Sequence, residues 1–165
     1  MSPGTVRATA TLAPDPTSET GAVPVLAVCA GEEVYGFPLS SVREILVPPP
    51  IALVPRAPDA VLGVISVRGQ IITLLDLPKM LHLELEQVNP YGRVLLIDNG
   101  DELIGVAVDS VIQVYRMEPN QIEYASAMSA ELSDYVVGIG RIPARDQDAE
   151  PEMLILIDPV SLLGG

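Results

Sequence analysis

Catalysis near neutral pH draws first on histidine and cysteine, and this chain has one of each. His82 stands in Met80-Leu81-His82-Leu83, a setting that suits a partly buried structural side chain better than a base. Cys29 lies inside the apolar run Val25–Ala30, which suits a buried, inert thiol, and a lone cysteine forms no internal disulfide. One histidine and one cysteine supply no His/Cys metal-ligand spacing. Neither a Gly-x-Ser-x-Gly elbow nor a Gly-x-x-x-x-Gly-Lys-Ser phosphate loop occurs. Asp76, Asp98 and Asp158 each end an apolar run, and two carboxylates brought together could do acid–base work. Asp76 and Asp158, however, each precede a short helical segment, where a carboxylate is an ordinary cap; Asp98 opens the turn Asp98-Asn99-Gly100-Asp101. The acidic stretch 146–152 lacks EF-hand spacing and reads as a solvated loop. These residues point to no catalytic site, no metal site and no cofactor.

Arg68 is the charge that asks for an explanation. It interrupts a largely apolar stretch from Pro58 to Leu77, so it must reach water or a carboxylate. Gly69 beside it predicts a tight turn between two strands. Two readings follow: an arginine at a hairpin tip in water, or one held by a specific acid and aimed at a partner.

The elements that would position Arg68 are short strands. Val, Ile and Leu recur in runs of four to eight, as in Ile71–Leu75, Val94–Ile97 and Leu154–Ile157, divided by Gly, Pro, Asn and Asp. Turns are marked at Gly31-Glu32-Glu33 and at Asn99-Gly100. Short helices are predicted after Asp76 and after Asp158-Pro159, and a single helical turn from the capping-box pattern Ser41-Val42-Arg43-Glu44.

An internal repeat organises these strands. Residues 31–45 align with 100–114 without a gap, matching Gly31 with Gly100, Gly36 with Gly105, Ser41 with Ser110 and Val42 with Val111. Val61-Leu62-Gly63-Val64 then parallels Val136-Val137-Gly138-Ile139, and Leu75-Asp76 parallels Ile157-Asp158. The second copy carries a polar, acidic insertion from Pro143 to Pro151. About five short strands per copy bury little as a flat sheet, whereas closing them removes exposed edges. The expected fold class is therefore all-β: two related five-stranded barrels packed on each other, joined near His82–Asn89, with a few very short helices. Pro48-Pro49-Pro50, Pro55 and Pro58 stiffen one excursion, either as a rigid connection or as a preformed rim for a partner.

Composition narrows the partners. With 22 acidic and 9 basic residues among 165, the net charge is −13, which repels nucleic acid and anionic membrane. No apolar run approaches the roughly 20 residues of a membrane-spanning helix. Residues 1–21 read as a disordered tail, neither signal peptide nor anchor.

The segment Gly63-Val64-Ile65-Ser66-Val67-Arg68-Gly69, followed by Asp76-Leu77, resembles the signature of the CheW family of chemotaxis coupling proteins. Tyr35–Leu39, Val42–Ile45, Gly105–Val111 and Ile155–Asp158 with Leu162-Leu163 are similar to further family motifs in the same order, covering about residues 23–164. The resemblance implies SH3-like barrels, no enzymatic activity and a cytoplasmic adaptor. Such an adaptor bridges the tip of methyl-accepting chemoreceptors to the regulatory domain of the histidine kinase CheA. It implies a CheW-like domain over 22–165, the first barrel about 31–82 and the second about 91–158, with terminal segments exchangeable between them. It places Val42, Glu44, Gly63 and Arg68 at partner-binding positions and pairs Arg68 with Glu44. Departures from the family pattern are Ser66 for Asn, Val67 for Leu and Pro78 for Arg. The alternative is a CheW-like regulatory module that binds a kinase or itself without contacting a receptor.

Overall fold

A computed structural model describes residues 21–81, 88–89, 91–125, 134–144 and 149–162. The readings made of His82, of the tail before Gly21, of the segment joining the barrels over 82–87, of Leu163 and of part of the acidic stretch lie outside the described residues.

Eleven strands follow in order: β1 Val23–Ala30, β2 Glu33–Pro38, β3 Val42–Leu46, β4 Val61–Val67, β5 Gln70–Leu75, β6 Arg93–Asp98, β7 Leu103–Val108, β8 Ser110–Met117, β9 Ile122–Tyr124, β10 Val136–Ile142 and β11 Glu152–Ile157. One four-residue helix, α1, spans Leu77–Met80, and single 3-10 turns cover Leu39–Ser41, Pro119–Gln121 and Pro159–Ser161. The helical turn expected to start at Ser41 does not form. Ser41 instead ends a 3-10 turn, its hydroxyl donating to the Pro38 carbonyl at 2.7 Å, and the β-branched Val42 begins β3.

The strands form two sheets. One runs β3-β6-β7-β5-β4, and an isolated antiparallel bridge between Ala52 and Val64 brings its two ends together. The other runs β8-β1-β2-β11-β10-β9. Its end strands β8 and β9 are one strand interrupted by the 3-10 turn Pro119–Gln121, so this six-stranded sheet is also a five-membered barrel. The fold is thus a pair of SH3-like barrels.

Strand membership crosses the contiguous division of the chain at about residues 31–82 and 91–158. Hairpin β1–β2 belongs to the sheet containing β8–β11, and hairpin β6–β7 to the sheet containing β3–β5. Both exchanges use the same short parallel ladder. Leu156 pairs with Gly36, and at the repeat-equivalent place Leu74 pairs with Gly105. A Cβ on Gly36 would stand 2.5 Å from a Leu154 methyl, so that glycine admits the exchanged strand.

The apolar runs record this arrangement. β1 is buried along nearly its whole length rather than at alternate positions, because it has a core on each face. Val23, Val25 and Ala27 face the interior of the second barrel with Met117, Ile122 and Leu154. Leu26, Val28 and Ala30 join Tyr35, Phe37, Ile65, Leu74 and Val94–Ile97 in the larger core. That core draws on strands of both sheets, so the barrels share it. Cys29 is half-buried against the second-barrel core.

Candidate functional site

The tip of hairpin β4–β5 carries Arg68. Val67 pairs with Gln70, leaving the two-residue loop Arg68-Gly69, and both loop residues have positive φ, +49° and +81°. A loop of this kind matches the right-handed twist of the flanking strands, and Gly69 adopts it without steric cost. The Arg68 guanidinium donates to Glu44 Oε2 at 2.5 Å, bridging the tip to β3. Its side chain is 69% exposed and that of Glu44 35%, so the pair stands in water at the rim. The hydrogen bond and the charge of Glu44 hold the Arg68 pKa above its ordinary value.

The structure brings Glu44 and Arg68 together and places Val42 and Gly63 elsewhere on the same barrel. Val42 is half-buried, pairs with Ile97 and packs on the larger core. A bulge separates it from Glu44. Gly63 is buried at a second bulge with φ +151°, and a Cβ there would stand 2.4 Å from the Ala52 carbonyl oxygen. Gly63 therefore lies beneath the closing bridge of the first barrel. Its repeat partner Gly138 lies beneath β9, its Cβ position 2.5 Å from the Glu123 carbonyl oxygen.

Exposed apolar side chains surround the pair in sequence: Ile45 on β3, Ile71 on β5 (67% exposed), and Val47 and Leu53 on the proline-rich excursion (75% and 83%). These were not singled out by the sequence reading. Ile71 had a signal available, since a strand buried on one face leaves alternate residues out. A second unforeseen contact is Arg43 with Asp98 Oδ2, at 2.5 and 3.2 Å. A third is Asp109, which accepts from the Gly31 N–H at 3.0 Å and from the Asn89 N–H, tying the β1–β2 turn to the stretch before β6.

The carboxylates cap. Asp76 accepts from the Lys79 N–H at 3.2 Å, and Asp158 from the Val160 N–H and the Ser161 hydroxyl, each at 3.0 Å. Their own N–H groups donate to Ala60 and Tyr135, repeat equivalents, at 2.8 Å. Each serves its own short helical turn, one per barrel. Asp98 accepts from the Gly100 N–H at 2.8 Å. Burial pushes the Asp76 carboxyl above the usual carboxylate range, opposed by the Lys79 N–H. Among the described residues no three His, Cys, Asp or Glu side chains group as metal ligands, and no helix is long and apolar enough to cross a membrane.

Two SH3-like barrels with exchanged hairpins define the fold class, and the first of them carries an exposed charged pair. A family model for the CheW-like domain matches residues 24–165, and the chain belongs to that family. Chemotaxis protein CheW of Helicobacter pylori is 28% identical over 111 residues, covering 67% of each chain. Chemotaxis protein CheW of Klebsiella aerogenes is 28% identical over 134 residues, 81% of this chain and 76% of that one. Among solved structures, the scaffolding protein TtCheW from Thermoanaerobacter tengcongensis superposes with a TM-score of 0.65 at 24% identity, over 87% of this chain and 96% of that one; this likeness concerns the fold.

Proposed function

We propose that this protein is a non-enzymatic, cytoplasmic adaptor of chemotaxis or motility signalling that couples chemoreceptors to the regulatory domain of the histidine kinase CheA. The observation that carries the reading is the solvent-exposed Glu44–Arg68 pair, on a barrel whose strands β3 and β5 also expose Ile45 and Ile71. An ion pair in water adds little to folding, so its value lies in what it presents. Apolar side chains ringed by charge are the ordinary material of a specific interface, the apolar part supplying affinity and the charges fixing geometry. In this reading Glu44 and Arg68 touch the partner, while Val42 and Gly63 hold the strands that carry them. The CheW relatives support the setting.

Calorimetric titration with the regulatory domain of the kinase encoded alongside this protein tests it. Micromolar binding that Arg68→Ala weakens at an unchanged melting temperature is the expected result. No binding by a folded sample would remove the kinase contact, and equal loss of affinity and melting temperature would make Arg68 structural.

A second reading, a module that binds a kinase or its own kind without a receptor, has one observation in its favour. Val114 and Met153 on the second barrel are exposed at the repeat positions of Ile45 and Ile71, so both barrels offer related apolar surfaces. A receptor-tip pull-down separates the two readings.

A further inference from the structure

The first barrel closes on one bridge. Ala52 and Val64 exchange both backbone hydrogen bonds, at 2.9 and 2.8 Å, and among the described residues no further ladder pair joins β3 or the excursion after it to β4; the Val61 N–H donates only to the Pro58 carbonyl of the turn that enters β4, at 2.9 Å. Continuing that antiparallel register would set Pro50 opposite Ser66. Proline has no N–H to donate, so the run Pro48-Pro49-Pro50 halts the ladder. β3 itself packs along β6 and not along β4.

Hydrogen-bond alternation fixes which way Ser66 faces. Val64 directs its N–H and C=O to Ala52, away from β5. Ile65 and Val67 then face β5, as the two-residue loop after Val67 also requires. The N–H and C=O of Ser66 point to the same side as those of Val64, where no described residue receives them, and Ser66 is exposed. An unpaired strand edge is a template for another strand.

The charge around this edge differs from that of the chain. The excursion 47–60 carries one base, Arg56, and one acid, Asp59, and Arg68 stands at the hairpin tip, in a protein of net charge −13. We propose that the seam at Ser66 is a strand-docking edge that takes an extended, acid-bearing segment of a partner protein. The segment pairs its backbone with Ser66, lays apolar side chains along Leu53 and Ile71, and places a carboxylate on Arg68 in exchange for Glu44. That exchange is easy because the Glu44–Arg68 pair is exposed. The inference goes beyond the adaptor reading: the edge consists of this chain's own backbone groups, whichever protein supplies the segment.

Amide NMR on the full chain tests it with the blocked peptide acetyl-Thr-Val-Glu-Val-Glu-Val-Thr-amide. The expected result is a shift and slowed hydrogen exchange of the Ser66 amide, with smaller shifts at Arg68 and Leu53. Ser66→Ala keeps the response because it keeps the backbone. Ser66→Pro removes only an outward N–H, leaves the sheet's own hydrogen bonds and lowers affinity about tenfold. A peptide with Lys for Glu binds more weakly, and Arg68→Glu reverses that preference. An unprotected Ser66 amide at millimolar peptide overturns strand docking even if Ser66→Pro fails to fold. Equal binding of the Glu and Lys peptides overturns the acidic character of the occupant.

Discussion

Among the described residues the first barrel is closed by one residue pair, Ala52 with Val64, and the second by three, from Gly138–Tyr124 to Gly140–Ile122. The closing segments occupy the same place in the repeat, yet one is rich in proline and the other reads Ile122-Glu123-Tyr124 with every N–H available. Their hairpin tips differ in the same sense. Arg68-Gly69 makes a two-residue loop held to β3 by Glu44, whereas the second copy inserts Pro143–Pro151 there and has Gln113 at the position of Glu44. One copy of a common plan has been kept as a closed structural unit. In the other, the seam and tip are left accessible and charged.

Substitutions at matched positions sharpen this contrast. The largest effect is expected at Gly138→Ala, where a methyl meets the Glu123 carbonyl and must lift β9 off β10, costing about 3 kcal/mol in denaturant unfolding. Gly63→Ala also meets a carbonyl, that of Ala52, but only one bridge resists displacement. The positive φ adds strain, and a loss of about 2 kcal/mol is expected, together with weaker partner binding. Equal costs at the two glycines would break the distinction between the seams. Loss of the Asp158 cap through Asp158→Ala is expected to cost about 1 kcal/mol. Asp76→Ala loses a cap but relieves a buried charge, so its cost is the smaller.

Asp76 also gives a pH signature. Its folded-state pKa is raised by burial, so the native state holds the proton more tightly than the unfolded chain. The contribution of Asp76 to stability therefore falls as pH rises from the ordinary carboxylate range through the raised value. Asp76→Asn keeps a capping oxygen and is expected to remove that decline, seen as a flatter dependence of unfolding free energy on pH. The smallest stability effect is Arg68→Ala, an unchanged melt with weakened partner binding.

Local chemistry was legible in the sequence wherever a few neighbouring residues decide it. Arg68-Gly69 and Asn99-Gly100 marked hairpins, Asp76 and Asp158 marked caps, and the Gly31/Gly100 alignment disclosed two copies of one barrel. The exchange of hairpins was not fixed by those signals. Related copies present similar edges to β5 and β11, and the choice between them depends on packing across the whole chain. Ser41-Val42-Arg43-Glu44 matched a capping box, but the partners of β3 across the sheet outweighed that local preference. Gly63 was legible as a special position and not as a closing one, because its neighbour, the Ala52 carbonyl, is set by the fold. The open seam could have been anticipated only with the register in hand, since Pro50 matters by standing opposite Ser66.

The reciprocal exchange of hairpins also governs the order in which the molecule can be made. β2 forms its parallel ladder with β11, and β7 forms its own with β5. As synthesis proceeds, the five-stranded sheet has all its strands once β7 has emerged, whereas the β1–β2 hairpin must wait for β8 and β11. Until then the face of that hairpin carrying Val23, Val25, Ala27 and Val34 lacks its cover. A chain halted after β7 would carry that face without the strands that cover it and is expected to aggregate or be held by chaperones. The second copy thus acts, during biogenesis, as the internal escort of the first.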